Sequence, residues 1–183
     1  MHQPNEDKES VDQDGRVIVF TNGSRKSSQN NYIQVAGSGV WFGLERPNNL
    51  GFPLPGKSQG SDRAEVYAVA LAMELDPRRL HIKSDSSYVV TCFEKMQRQE
   101  AEIPRQINYD LWERIRCQIL QYPDRVVVRK TKGHATAYHI LRGKSTIFEK
   151  HGNDQADLLA EQGAIVNSPP RELLLLCKTT ESK

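Results

Sequence analysis

The chain has 183 residues, 37% of them hydrophobic and 26% charged, with 25 lysines and arginines against 23 aspartates and glutamates. That length holds one domain of ordinary size plus a short remainder, and the composition excludes fibrous, collagen-like and wholly disordered chains. The net charge of +2 conceals two opposite stretches: one lysine against five acids over residues 1–15, and seven lysines and arginines against Glu149 alone over 125–151, a density that suits phosphate binding as well as an ordinary solvated face.

Residues 1–15 show almost no apolar side chains and no periodicity, which predicts a disordered acidic leader and folding from Arg16 onward. Arg16 to Phe20 (RVIVF) is apolar and β-branched without alternation, as in a central strand covered on both faces, and it runs into Thr21-Asn22-Gly23-Ser24. A second strand is predicted within Ile33 to Phe42. A third, within Leu50 to Leu54, is pushed to a sheet edge by Pro47, Pro53 and Pro55.

Ser61 or Asp62 offers an N-cap to a helix carrying Val66, Val69, Ala70 and Met73 until Pro77 ends the pattern. Leu80 to Lys83 reads as a short strand, and Ser84-Asp85-Ser86 then caps a helix with Tyr88, Val89, Cys92, Phe93 and Met96 on one face. After Pro104, Asp110 to Gln121 supplies another apolar stripe, and Arg125 to Arg129 (RVVVR) another strand. A long polar loop from Lys132 to Gly152 is expected before a last helix, opening at Asn153 or Asp154, with Ala156, Leu159, Ala160 and Gly163 at helical spacing. Pro169-Pro170 blocks its continuation, leaving 165–183, with Leu173 to Leu176, as a tail. The order βββαβααβα suggests an α/β fold of three layers around a mixed sheet.

Cys92, Cys117 and Cys177 have no metal-ligand spacing, the N-terminus lacks the basic and apolar pattern of a signal peptide, and the longest apolar run is Val66 to Met73. An intracellular chain that does not span a membrane is the expectation.

Glu65, Asp85 and Asp157 fall at ends of this framework, and each alone reads as a solvated helix residue, a cap or a first-turn acid. Their surroundings carry more: TNGS at 21–24, DRAEVYAVALAM at 62–73, KSDSSYVV at 83–90, KGHAT at 132–136, GNDQADLLA at 152–160, and Asp110-Leu111-Trp112 ahead of the final strand. Together, over Arg16 to Ala164, they resemble type 1 ribonuclease H.

The resemblance implies a five-stranded mixed sheet, its first three strands antiparallel, flanked by helices, with four carboxylates converging at one sheet edge. Glu65, Asp85 and Asp157 match three of them, and Asp154 is expected to be only a cap. The implied activity is endonucleolytic hydrolysis of the RNA strand of RNA/DNA hybrids, leaving 3′-OH and 5′-phosphate ends. It would use two Mg²⁺ ions, or Mn²⁺, about 4 Å apart, for which hard oxygen ligands are suited. His134 matches a histidine that helps proton movement and product departure, in keeping with an imidazole's change of charge near neutral pH. Ser24, Ser61, Ser87 and Lys132 are the expected contacts to the RNA 2′-OH and to phosphates.

Three departures bear on activity. Asn22 stands where the family carries an aspartate, which keeps one acceptor oxygen, removes a charge and turns donors toward cations. The stretch from Tyr88 to Trp112 is short for the extra basic helix of bacterial members. The region between His134 and Asp157 is long and interleaves Tyr138, His139, Arg142, Lys144, Phe148 and Lys150, a mixture able to contact phosphates and stack on bases. These features resemble ribonuclease H segments of retroelement polyproteins, in which a reverse transcriptase supplies affinity. The alternative to an impaired enzyme is a catalytically inactive hybrid-binding or polyprotein-scaffold module, a monomer in either reading.

Overall fold

The computed structural model describes residues 10–27, 34–99 and 107–168. Its elements are β1 (Val17–Ser27), β2 (Gln34–Trp41), β3 (Leu50–Pro53), α1 (Ser61–Leu75), β4 (Leu80–Ser84), α2 (Ser87–Gln97), α3 (Tyr109–Gln121), β5 (Val126–Lys130), α4 (Ala137–Leu141) and α5 (Ile147–Val166). The strands form one sheet in the order β3-β2-β1-β4-β5. The first three are antiparallel, whereas β4 runs parallel to both β1 and β5. This is the expected five-stranded mixed sheet, with β3 at its edge.

Alternation along β1 divides the core between two faces. Val17 and Val19 join Leu80, Ile82, Val126, Val128 and the inner sides of α1, α2 and α3, where Phe93, Trp112 and Ile115 are fully buried. Phe20 points the other way, to Trp41 and Ala156 under α5. There the helix and sheet meet backbone to backbone: a Cβ on Gly39 would lie 2.0 Å from the Ala156 carbonyl oxygen, and one on Gly37 2.1 Å from the Ala164 amide nitrogen. Small residues on both elements let α5 lie flat across β1, β2 and β3.

Several boundaries differ from the sequence expectation. β1 continues seven residues past Phe20, because Thr21 to Ser27 pair with Val40 to Gln34. Gly60, not Ser61 or Asp62, is the N-cap of α1, so Ser61 is the first helical residue. The loop expected from Lys132 to Gly152 contains α4 and the start of α5. Thr146 and Glu149 close a capping box there, so α5 opens at Ile147 and Asp154, two turns inside it, is no cap but an ion-pair partner of Lys150.

Residues 10–15, grouped above with the leader, make specific contacts: the Ile18 N–H donates to the Ser10 carbonyl, and Asp12 meets His81. The Leu173 to Leu176 tail and Ile33 lie outside the described residues. The basic stretch 125–151 is not one surface either. Arg125 turns inward to the carbonyls of Asp76 and Met73, and Arg129 pairs with Glu94 at 2.9 Å. Among the described residues no helix is long and apolar enough to cross a membrane.

Candidate active site

The parallel pairing of β1 with β4 brings Thr21 opposite Ser84, so Asn22 and Asp85 follow at neighbouring strand positions. Ligand sites in such sheets lie beyond the carboxyl ends of parallel strands. α1 adds Glu65 from the face opposite α5, and α5 adds Asp157. The segment after β5 adds His134. All five line one open cleft of about 630 Å³, together with Ser24, Ser61 and Lys132. Ser87 is not among them: it is the exposed first residue of α2, and Ser86 lines the cleft instead, its hydroxyl accepting from the Val89 N–H.

Glu65 is 8% exposed, and one carboxylate oxygen, Oε2, is buried with no hydrogen-bond partner among the described residues. Burial first, then the charges of Asp85, Asp157 and Asp62, push its carboxyl up to about 8, against the Gly23 N–H that donates to it. Asp157 is also raised, by burial and then by Glu161, Asp85 and Asp154, while the nearby His134 works in the opposite direction. A group of acids that raises its own proton affinity in this way is short of positive charge.

Asp85 is held from two sides. The side-chain amide of the buried Asn153 donates to its Oδ2 at 3.4 Å, and Gly133 lies so near that an added Cβ would be 2.4 Å from the same oxygen. Lys130 donates to the Asp85 carbonyl. His134 follows Gly133 in the left-handed region, at φ 48°, which turns an exposed imidazole into the cleft rather than along β5. Sequence reasoning missed Arg25, Lys130 and Glu161 as cleft residues. Arg25 was hidden because β1 was expected to end before it, and Glu161 because one helical turn beyond Asp157 it reads as a solvated acid.

The donor set suits a hard divalent cation: oxygen ligands from Glu65, Asp85 and Asp157, one amide oxygen from Asn22, and an unpartnered buried oxygen on Glu65. Among the described residues no three His, Cys, Asp or Glu side chains already stand close enough to share one ion. The fit is therefore one of donor chemistry and charge.

The RNase H family profile matches residues 14–165. Ribonuclease H of Schizosaccharomyces pombe is 33% identical over 156 residues, which are 81% of this chain and 53% of that protein. The chain thus spans about half the length of this relative. Among solved structures, the PFV RNase H domain matches with a TM-score of 0.61 at 23% identity, covering 81% of this chain and 94% of that one. LC11-RNase H1, solved in complex with an RNA/DNA hybrid, matches at 0.53 and 16% identity over 82% and 97%. At these identities the two structures show a shared fold.

Proposed function

The chain belongs to the RNase H family, and on that premise we propose that its cleft is built to hydrolyse the RNA strand of RNA/DNA hybrids endonucleolytically and that Asn22 impairs it. The observation that carries this reading is the convergence of Asn22, Glu65, Asp85, Asp157 and His134 on one cleft beside the middle of β1 and the end of β4.

Glu65, Asp85 and Asp157 are the residues that would hold two Mg²⁺ or Mn²⁺ ions, with Asn22 offering one neutral oxygen. The chemistry such a pair supplies when bound is activation of a water and stabilisation of the leaving 3′ oxygen. The residues themselves orient and charge the site. Asn153 and Gly133 fix the Asp85 carboxylate. The exposed imidazole of His134 lines the cleft near Asp157, placed to assist proton movement and product departure. Ser24 and Ser61 present hydroxyls to the sugar edge of the hybrid, and Lys132 presents an ammonium to its phosphates. A polyprotein partner such as a reverse transcriptase would add affinity, and the chain is expected to act as a monomer inside the cell.

An amide at position 22 removes a full negative charge where the other acids already stand apart. If the transition state loses about 4 kcal/mol, the rate falls roughly a thousandfold. A second reading, a hybrid-binding module without catalysis, draws on the same residue. Cleavage of an end-labelled hybrid in Mg²⁺, by the chain as it stands and by its Asn22→Asp variant, separates the two. Strong cleavage by the variant alone supports the impaired enzyme; no cleavage by either favours the binding module.

A further inference from the structure

Resting on that reading, we infer that the corner formed by α4 and the start of α5, from Tyr138 to Ile147, is a second nucleic-acid contact surface that grips the substrate outside the cleft. α4 buries none of its own side chains. Its backbone is nevertheless ordered locally: Thr136 and His139 close a capping box, and a turn through Gly143, at φ 66°, brings the Lys144 N–H back to the His139 carbonyl at 2.9 Å. The side chains that this corner presents face solvent. Leu141 is 86% exposed, Ile147 76% and Tyr138 59%. Three large apolar side chains left in solvent within ten residues supply area that a partner could cover.

The charge of the corner identifies the partner's sign. The Arg142 guanidinium lies 5.3 Å over the Tyr138 ring. Neither it nor Lys144 has a carboxylate partner among the described residues, and the acids that follow on α5 are already engaged, Glu149 by Lys83 at 2.6 Å and Asp154 by Lys150. Two cations are therefore unneutralised beside an apolar and aromatic patch, and the occupant must be anionic.

Two features favour nucleic acid over an acidic protein. A guanidinium stacked on an aromatic ring offers a flat face to a sugar or base and N–H groups to a phosphate. The corner also follows the cleft wall directly along the chain, since only Ala135 and Thr136 separate His134, in that wall, from α4. Phe148 and Lys150, two other members of this basic and aromatic run, take no part: Phe148 packs edge-on against Phe20 at 5.5 Å, and Lys150 is paired.

The test uses the chain with Asn22 in place, so that cleavage does not intrude, and a fluorescent RNA/DNA hybrid long enough to run past the cleft. Fluorescence anisotropy is measured across a salt series for the parent, for Arg142→Ala with Lys144→Ala, and for Tyr138→Ala, with thermal melts confirming that all three fold. Each phosphate contact contributes about 0.9 to the slope of log affinity against log salt, so the double variant should be shallower by about 1.8. Between about 50 and about 200 mM salt the parent should accordingly lose roughly tenfold more affinity than the double variant. Tyr138→Ala should weaken binding at every salt concentration without changing the slope. Slopes and affinities equal to the parent's in folded variants would overturn the inference alone. A parent chain that does not bind the hybrid at any salt concentration would overturn the proposed function, and this inference with it.

Discussion

Gly23 of β1 and Glu65 of α1 meet backbone to backbone: a Cβ on Gly23 would stand 2.4 Å from the Glu65 amide nitrogen and 2.8 Å from the Ala64 carbonyl carbon. The Gly23 N–H also donates to the Glu65 carboxylate. The absence of a side chain beside Asn22 therefore sets how near the helix acid comes to the strand. Gly23→Ala should force the two elements apart and lower stability by about 1–3 kcal/mol, the usual cost of overpacking. Urea unfolding of the variant measures this, and a midpoint equal to the parent's would show that the contact is slack.

Glu65 gives the chain a pH dependence of defined sign. Its carboxyl is raised from 4.5 to about 8, chiefly by burial and then by Asp85. The folded protein thus keeps a proton that the unfolded chain releases, and stability declines as pH rises from 4.5 through 8, by an amount on the order of a few kcal/mol. Glu65→Gln should flatten that decline and melt above the parent at alkaline pH. Added Mg²⁺, by supplying the missing positive charge, should raise the parent's melting temperature near pH 8 more than near pH 5. Parallel melting curves for parent and variant across this range would refute the assignment.

The elements that position the acids were legible because each has a local signal: the β-branched run before Asn22, the apolar stripe around Glu65, the Ala and Leu spacing around Asp157. What escaped depends on contacts between distant residues or on short motifs. Asp12 looks like part of a polar leader until His81 is beside it, and Arg125 looks like a surface cation until it reaches the carbonyls at the end of α1. The capping box of Thr146 and Glu149 was readable as Thr-x-x-Glu, but Gly152 inside the following helix masked it. That glycine is required by packing, since a Cβ there would lie 2.3 Å from the Phe20 ring. Ser87, expected as a contact to the hybrid, stands exposed at the start of α2, while its neighbour Ser86 lines the cleft.

Asn22-Gly23 has the sequence that favours deamidation, which would regenerate an acid at position 22. The fold opposes it. Succinimide formation requires the Gly23 nitrogen to swing onto the Asn22 side-chain carbonyl, yet both residues are paired in β1, to Gly39 and Ser38, and Asn22 is 4% exposed. Native protein incubated at neutral pH should retain the amide far longer than protein held unfolded in urea. Peptide mass spectrometry of the two samples gives the comparison, and equal rates of conversion would mean that β1 opens readily at this point.

Asp12 fastens the start of the described chain to the sheet. One carboxylate oxygen accepts from the N–H groups of Asp14 and Arg16, each at 2.9 Å, and the other meets His81 Nδ1 at 2.8 Å. Burial works against the charged form, but the Arg16 N–H, His81 and the Asp14 N–H outweigh it and hold the carboxyl below its ordinary value. His81 is itself lowered, mainly by burial, with Lys83 and Arg129 adding to the effect and Asp12 opposing it. Both shifts give stability the same sign: it falls on acidification, first below the ordinary histidine value of 6.5 and again as Asp12 is protonated below 3.8. Asp12→Ala should cost about 1 kcal/mol at neutral pH, comparable to losing a helix cap, because two N–H groups lose their acceptor. It should also lower the His81 pKa further, since the opposing carboxylate is gone. Urea unfolding and an NMR titration of the His81 ring follow the two effects separately. A variant with unchanged stability and an unmoved His81 would show that residues 10–15 rest on the sheet without bracing it.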